Sequence, residues 1–448
     1  MTDAAFPPAR PRGGSLLEPD ARTLRRNAAE ARFRLYGVTA IAIAMIALMI
    51  LLISILSHGT SAFRQTFLHL PIALDEAVLD PSGTRDPAAL RKVTTIGYGR
   101  LIDRALGEAI AASGITVEGL GKSDISRMVS RQAAATVRSA VLADPALIGT
   151  TQEFRILASS RIDGYMKGRV TQDSAARDSN VSPAQLHLAD ALRAQGLLGT
   201  SFNWRFITDP DASELRPEAA GLGIAILGSA YMMIVVLALS LPIGVAASIY
   251  LEEFAPRNRF TDLIEVNISN LAAVPSIVFG ILGLAIFINF AGLPQSAPVV
   301  GGLVLTLMTL PRIIIPARAA IKAVPPSIRD AALGVGASKM QTVFHHVLPL
   351  ATPGILTGLI IGLGQALGET APLLLIGMVA FVRDYPEGLP GGLFDPASAL
   401  PVQIYNWTQR ADPAFAERAS GAIIVLLIFL LAMNAAAIVV RRRFERRW

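Results

Sequence analysis

The sequence predicts an all-α polytopic membrane protein with six transmembrane helices. A mostly helical domain, α+β if one short strand is counted, lies between the first helix and the second. Of the 448 residues, 52% are hydrophobic, and they gather in runs of about 20 or more, the length with which a helix crosses a hydrocarbon core. Only helices and closed barrels satisfy every backbone polar group in lipid, and runs of this length indicate helices.

The six predicted spans differ in how clearly they are marked. The first has no charged residue, and it is too long for the core of a signal peptide, so we expect a retained anchor. The second contains Pro242 and several glycines, which membrane helices tolerate. The predicted spans are residues 36–57, 221–250, 263–290, 298–320, 350–378 and 419–440.

Lysine and arginine set the predicted orientation. With both termini inside, eighteen of these residues lie in the cytoplasmic segments and three in the short outer loops, as the positive-inside rule expects. We therefore expect a bacterial inner-membrane protein with basic cytoplasmic tails (1–35 and 441–448) and a periplasmic domain (58–220). The tails are expected to bind the anionic membrane surface and no nucleic acid.

Within residues 58–220, local patterns predict three elements. An apolar stripe predicts one helix, and Ser182-Pro183 with Gly196 predicts the start and end of another. Residues Phe202 to Thr208 have the composition of a strand. The stripe consists of Leu101, Ile102, Ala105, Leu106, Ala109 and Ile110.

Composition and motifs indicate no cofactor and no metal. The chain has no cysteine, and its five histidines form no His-Glu-x-x-His pattern. Gly121-Lys122-Ser123 is similar to the end of a phosphate-binding loop, but Thr116 stands where that motif requires its first glycine. We expect ATP and Mg²⁺ to be bound by another protein.

The loop between the fourth and fifth spans contains several residues that typically start or end helices. Ser327 with Asp330, and Ser338 with Gln341, have the spacing of capping boxes. Gly336 stands between them, where a helix end favours positive φ. The pattern predicts two short helices joined by a glycine turn and ending at Leu348-Pro349, which together form a rigid, exposed element.

This loop resembles the EAA loop of ABC-importer permeases. The match runs from Asp330-Ala331-Ala332 through Gly336 to Leu348-Pro349, with Asp330 where the family usually has Glu and His346 where it usually has Ile. The resemblance implies an ABC type I importer permease core in residues 221–440. It also implies that the chain is not itself an enzyme, and that a docking loop (327–349) inserts into a separate ATPase. The implied docking residues are Ser327, Asp330, Ala331, Ala332, Gly336, Leu348 and Pro349.

Further segments resemble PstA-type permeases of phosphate-specific importers. They are Asn270–Gly280 and Gly368–Leu373, together with Pro242-Ile243-Gly244 and Tyr250-Leu251-Glu252-Glu253. The long insert after the first span resembles a PstA subgroup with an extra domain. The resemblance implies that the chain forms half of a phosphate pathway. Its partners would be a PstC-type permease, a PstB-type ATPase dimer and a PstS-type phosphate-binding protein.

Two ionisable residues, Arg312 and Glu369, fall deep in predicted spans. Each costs roughly 2.5–3.5 kcal/mol on insertion scales, so such residues are usually functional. Their depths differ by more than ~10 Å, which predicts no direct pair. Gln365 stands where PstA-type subunits often have arginine, one helical turn from Glu369 and on the same predicted face. The candidate pathway residues are Glu369, Gln365, Thr370, Arg312, Asn270 and Ser276.

Three alternatives remain at the level of sequence. The chain could belong to an importer for another oxyanion, such as molybdate or sulfate, or for another small solute. It could be an ion-driven carrier or channel, although such proteins need no ATPase-docking loop. It could also be a membrane scaffold whose 58–220 domain binds a partner.

Overall fold

The computed structural model describes residues 21–81, 83–115, 119–379 and 381–444. Contacts divide the chain into residues 1–57 and 58–448, and each unit is described by itself. The predicted cytoplasmic tails (1–35 and 441–448) lie partly outside these ranges, and Thr116 lies outside them.

The described residues of the first unit, 21–57, belong to one long helix, α1 (Ala21–Gly59), which ends two residues into the second unit. The predicted span 36–57 lies inside it. The helix begins earlier than the apolar run because residues 21–35 are rich in alanine, arginine and leucine, which are good helix formers.

Residues 60–222 form a compact insert around a three-stranded antiparallel sheet in the order β2-β1-β3. Short helices cover the sheet, and β1 lies at its centre. The elements are a 3₁₀ turn (Thr60–Phe63), β1 (Arg64–Ala73), α2 (Glu76–Leu79), α3 (Pro87–Leu90), α4 (Thr95–Ala112), α5 (Lys122–Ser126), α6 (Ala133–Ala143), a 3₁₀ turn (Pro145–Leu147), β2 (Thr151–Leu157), α7 (Ser160–Met166), α8 (Gln172–Ala175), α9 (Pro183–Ala194), β3 (Leu198–Phe202), α10 (Trp204–Thr208) and a 3₁₀ turn (Pro217–Ala219).

Two local predictions for the insert are confirmed. The apolar stripe buries Leu101, Ile102 and Leu106 of α4 in the same core as Leu68 and Leu70 of β1. Ser182 Oγ accepts a hydrogen bond from the Gln185 amide at the start of α9, and Gly196 follows the helix with φ +74°.

The predicted strand at Phe202–Thr208 is wrong beyond its first residue. The buried side chain of Asn203 accepts a hydrogen bond from the Phe206 amide at 3.2 Å. This cap starts α10 directly after β3 ends at Phe202. The asparagine side chain satisfies one of the amide hydrogens that have no partner in the first turn of a helix.

The second half of the chain is almost wholly helical. Its elements are α11 (Gly223–Ile249) with a π-helical turn (Tyr250–Phe254), α12 (Arg259–Ala272), α13 (Ser276–Gly283) with a π-helical segment (Leu284–Phe290), α14 (Pro298–Lys322), α15 (Pro326–Gly334), α16 (Lys339–Thr342) with a π-helical turn (Val343–Val347), α17 (Leu348–Gly368), α18 (Ala371–Leu375), a 3₁₀ turn (Gly391–Leu393), α19 (Leu400–Gln409) and α20 (Pro413–Phe444). Five helices of the described chain are long and apolar enough to cross a membrane, or six if α12 and α13 form one span. The predicted mostly helical membrane fold is confirmed.

Two of the predicted spans are not continuous helices. The third bends by 101° between α12 and α13, at Pro275, which lacks an amide hydrogen and disfavours helical geometry in the residue before it. The fifth breaks after Gly368 and resumes at α18, where Pro372 lies in the first turn, a position that needs no amide donor. Average hydropathy does not register either break, because the runs on both sides are apolar, although Ser276 lies at the first break and Glu369 and Thr370 lie at the second.

Small residues let α14 approach its neighbours closely. A Cβ added at Gly302 would lie 2.5 Å from Val235 of α11, and one added at Gly358 would lie 2.6 Å from Pro316 of α14. Close packing on small residues is the usual way in which helices associate in membranes. Helices α11, α14 and α17 therefore form the centre of this half of the chain.

Candidate functional site

The loop between α14 and α17 folds as a helical hairpin. Helices α15 and α16 are joined by Gly336, whose φ is +91°, so the predicted glycine turn is confirmed. Ser338 Oγ accepts a hydrogen bond from the Gln341 amide at 3.2 Å, and the Ser338 amide donates to Gln341 Oε1 at 2.9 Å. The second predicted capping box is thus confirmed.

Two other predictions for this loop are wrong. Ser327 does not cap α15, because Pro326 starts that helix one residue earlier and Ser327 already lies inside it. The hairpin also does not end at Leu348-Pro349: the chain passes through the π-helical turn Val343–Val347 directly into α17. The changed hydrogen-bond register of a π turn accommodates Pro349, which has no amide hydrogen to donate.

The hairpin presents an apolar surface. Asp330, Ala331 and Gly336 are exposed, whereas Ala332 is buried beneath them. Exposed apolar side chains that lie together usually mark a site of protein contact. The large apolar side chains exposed here are Leu333, Val335, Met340 and Phe344, with Val335 86% exposed.

Arg329 attaches the hairpin to the rest of the bundle. Its Nε and Nη2 donate to Glu253 Oε1 at 3.0 and 2.7 Å. Its Nη1 donates to the Val324 carbonyl at 2.5 Å, and Nη2 also donates to the Ile321 carbonyl at 2.8 Å. The Ile321 carbonyl belongs to the last turn of α14, where helical partners are lacking, and Val324 lies two residues beyond that helix. One guanidinium therefore joins α15 to both α14 and the π-helical end of α11.

A second arginine links the same helix ends. Arg318 Nη2 on α14 lies 3.3 Å from Glu252 Oε2 and 2.7 Å from Glu265 Oε1 of α12. Lys339 Nζ lies 5.2 Å from the centre of the Phe254 ring. These contacts were not predicted from the sequence. The sequence did contain a signal for them: two adjacent carboxylates, Glu252 and Glu253, on the same side of the membrane as the basic loop between the fourth and fifth spans.

The membrane-embedded charges do pair, contrary to the prediction. Arg312 Nη1 lies 3.8 Å from Glu369 Oε1, and their side chains are 23% and 18% exposed. Gly358 packs on Pro316, and Gly362 packs on Thr309 and Ile313, so Glu369 lies about seven residues, or ~10 Å, from the level of Arg312. The predicted backbone separation is sound. The inference failed because two long side chains can bridge that distance.

The predicted shared face of Gln365 and Glu369 is wrong. Helix α17 ends at Gly368, and Glu369 has the extended torsions φ −76° and ψ 131°. Gln365 remains on the helix with an exposed side chain. Glu369 therefore leaves the helical face and turns where the chain enters α18.

Two of the segments that carry the resemblance meet at this break. A Cβ added at Gly280 of α13 would lie 2.7 Å from Pro372 Cα of α18, so glycine permits the contact. Thr370 precedes α18 directly, and its carbonyl accepts from the Leu373 amide. Ser276 begins α13 one turn before Gly280, while Asn270 is exposed on α12 before the bend. The break thus gathers Glu369, Thr370 and Arg312 next to α13, with Asn270 beyond the bend.

Known proteins match both halves of the chain. Residues 240–448 match the family described as binding-protein-dependent transport system inner membrane component. The chain belongs to this family. Residues 20–176 match a domain of unknown function, DUF3333. The predicted resemblance to PstA-type permeases is also confirmed, and it rests on the following relatives.

The probable ABC transporter permease protein YqgI of Bacillus subtilis (strain 168) is 34% identical over 249 residues, which cover 53% of this chain and 83% of that protein. The phosphate transport system permease protein PstA of Mycobacterium leprae (strain TN) is 32% identical over 226 residues, 49% of this chain and 71% of that protein. A solved structure of the MetNI methionine ABC transporter is 18% identical, with a TM-score of 0.38 over 50% of this chain and 97% of that one.

Family membership establishes the general role. The chain is a membrane-embedded permease subunit of an ABC importer, a transport component rather than an enzyme. Permeases of this kind work with an ATPase and a substrate-binding protein.

Proposed function

We propose that this chain is the PstA-type permease subunit of an ATP-driven phosphate importer and forms half of its translocation pathway. The observation that carries the proposal is the Arg312–Glu369 pair at the break between α17 and α18. The break consists of the Gly368–Leu373 segment and packs against Gly280 of the Asn270–Gly280 segment. Relatives named as phosphate permeases support the substrate.

The chemistry of the pair suits an oxyanion that retains a proton. A guanidinium binds such anions through two parallel hydrogen bonds. Arg312 Nη1 is buried and has no hydrogen-bond partner among the described residues, so Glu369 orients the group without using all of its donors. The carboxylate of Glu369 accepts the hydrogen that phosphate keeps and sulfate lacks. Gln365, Thr370, Asn270 and Ser276 supply neutral donors along the route.

The hairpin couples this route to ATP. Its exposed apolar side chains and the Asp330-Ala331-Ala332 segment dock into a PstB-type ATPase dimer, which binds ATP and Mg²⁺. Movement of the hairpin passes through Arg329 to Glu253 on α11 and to the end of α14. Since Arg312 lies on α14, the same helix carries the motion to the anion. A PstC-type permease supplies the other half of the pathway, and a PstS-type protein delivers phosphate.

We further propose that residues 58–220, which make up nearly all of the insert, face the periplasm of a bacterial inner membrane, and that the hairpin and both tails (1–35 and 441–448) face the cytoplasm. The span 36–57 and the core 221–440 cross the membrane. Because the chain has no cysteine, single cysteines test this directly. A thiol reagent that cannot cross the inner membrane should label Ser123→Cys and leave Val335→Cys unlabelled until the membrane is opened. The reverse pattern would refute the orientation.

Uptake of labelled phosphate in cells without their own high-affinity importer tests the substrate. We expect uptake that requires this chain and its ATPase, and that excess sulfate or molybdate leaves unchanged. Uptake that persists without the ATPase would indicate an ion-driven carrier. Transport of sulfate or molybdate in place of phosphate would indicate an importer for another oxyanion, and assembly without any uptake would indicate a scaffold.

A further inference from the structure

Four aromatic side chains lie together at one end of the insert. Phe63 ends the first 3₁₀ turn, Phe202 ends β3, and Trp204 and Phe206 belong to α10. The centre of the Phe63 ring is 5.3 Å from that of Phe206 and 6.2 Å from that of Phe202. The Phe202 and Trp204 rings are 4.7 Å apart. These four rings form one continuous cluster, here called the aromatic row.

The aromatic row runs from the interior of the protein to its surface. Phe206 is fully buried and Phe63 is partly buried, whereas Phe202 is 48% and Trp204 67% exposed. Leaving two large, mostly apolar rings in water forgoes the free energy that their burial would supply. Exposed apolar side chains that lie together usually mark a contact surface. The outer half of the row therefore calls for a partner.

Two membrane helices fix the level at which the row lies. A Cβ added at Gly421 of α20 would lie 2.6 Å from Ala62 and 3.0 Å from the Phe206 ring. Gly421 is the third residue of the predicted span 419–440, which begins directly after two charged residues. The Leu222 amide, one residue before α11, donates to the Phe206 carbonyl at 2.8 Å. Phe206 thus lies where both helices enter the membrane.

The surface around the row has the composition of a membrane–water boundary. Tryptophan is enriched there, because its ring is apolar while its indole N–H still needs a polar partner. Arg64 is exposed and lies opposite Phe202 in the register of β1 with β3. Arg205 follows Trp204; its side chain is 42% exposed, and its Nε lies 3.9 Å from Asp209 Oδ2. Arginines beside exposed rings suit a boundary at which lipid phosphates meet acyl chains.

We propose that the exposed half of the row, Phe202 and Trp204, lies in the lipid headgroup region on the insert's side of the membrane. The occupant of this surface is lipid, because the row continues the membrane boundary that α11 and α20 set. The membrane then holds the insert at the end where β1 begins and β3 ends. This placement does not depend on which side of the membrane the insert faces.

Tryptophan fluorescence of the full-length chain in phosphatidylcholine nanodiscs tests the placement. The chain has three tryptophans, of which Trp407 is fully buried, and Trp448→Phe removes the last. The Trp204 signal is the difference between Trp448→Phe and Trp204→Phe/Trp448→Phe. A nitroxide on the lipid headgroup should quench this signal at least about twofold more than a nitroxide deep in the acyl chain, because interfacial tryptophan lies at headgroup level. Aqueous iodide should quench it weakly.

The matched control places a tryptophan at the other end of the insert. Ile96 is 67% exposed, the same fraction as Trp204. A Cβ added at the adjacent Gly97 would lie 3.7 Å from Val78, which comes five residues after β1. The ten residues of β1 separate this end from the aromatic row by ~30 Å. In Trp204→Phe/Ile96→Trp on the Trp448→Phe background, iodide should quench and the headgroup nitroxide should not.

The proposal fails if the Trp204 signal responds to both quenchers as the Ile96→Trp variant does, because the row would then face water. It also fails if headgroup quenching disappears when the chain is assembled with its partner subunits, since protein would then cover the rings. Headgroup quenching that persists in the assembly and is absent from the control supports lipid contact. Phosphate uptake does not enter this experiment, so either outcome leaves the proposed function standing.

Discussion

Arg329→Gln is the substitution that most directly tests how the hairpin is held. It removes the guanidinium that joins α15 to Glu253 in the π-helical turn after α11, and to the carbonyls of Ile321 and Val324 at and just beyond the end of α14. The hairpin should then open from the bundle far more often, while the transmembrane helices stay folded, because the lost bonds all lie at the helix ends.

The magnitude follows from the bonds that are lost. A hydrogen bond to a charged group contributes about 1.5–3 kcal/mol, and Arg329 makes four to three acceptors. The side chains of Arg329 and Glu253 are 21% and 9% exposed, so solvent screens part of this contribution. We therefore expect the substitution to lower the free energy of opening the hairpin by about 3 kcal/mol in total, which raises the population of the open hairpin roughly 100-fold.

Hydrogen exchange of the full-length chain in nanodiscs measures this opening. Helix α15 is short, so it should unwind more readily once it leaves the bundle. The Val335 and Ala337 amides donate to the Ala331 and Ala332 carbonyls at its end, and their exchange should accelerate by up to about that factor. Affinity for the ATPase should fall in parallel. Arg329→Lys keeps the charge but not the planar fork, so it should lie between wild type and glutamine.

The matched control is Lys322→Gln, an exposed basic residue at the end of α14. It should leave exchange at both amides unchanged. Unchanged exchange in Arg329→Gln, or equal acceleration in the control, would refute the anchoring role. Loss of ATPase affinity without faster exchange would show that Arg329 contacts the ATPase instead of positioning the hairpin.

Three further predictions concern the pathway, the turn and the insert. Glu369→Gln should abolish phosphate uptake while the complex assembles and hydrolyses ATP, because Arg312 loses its ionic partner; uptake at the wild-type rate would contradict this. Gly336→Val should uncouple transport, since φ of +91° strains a branched residue by about 1–3 kcal/mol. Gly334→Val, equally free of close neighbours and without positive φ, should transport normally, and equal loss in both variants would count against the turn. Burial lowers the pKa of Lys167 from 10.5 to about 8, so the folded state binds fewer protons than the unfolded state between those values and stability rises with pH there. Melting temperatures at pH 7 to 10.5 should show a shallower rise in Lys167→Met, and identical slopes would exclude this contribution.

Much of the local structure could be predicted because the residues that decide it are close together in the sequence. Three such local features behave as predicted: the capping box of Ser338 and Gln341, the turn at Gly336, and the helix start at Ser182-Pro183. Each depends only on residues within about one helical turn. Ser327 failed for an equally local reason, since Pro326 begins α15 before it. The bend at Pro275 was visible as a proline, but its angle of 101° was not.

The length of the apolar runs by itself determined that the chain is a helical membrane protein. The capping residues and Gly336 determined that the loop between the fourth and fifth spans contains two short helices. Only the tertiary structure decided which charges meet. Arg312 finds Glu369, and Arg329 finds Glu253 across 76 residues of chain. Such pairs depend on the register between packed helices, on where a helix breaks and on how far a side chain reaches. No single segment of sequence contains those quantities, because they arise only when two segments pack together.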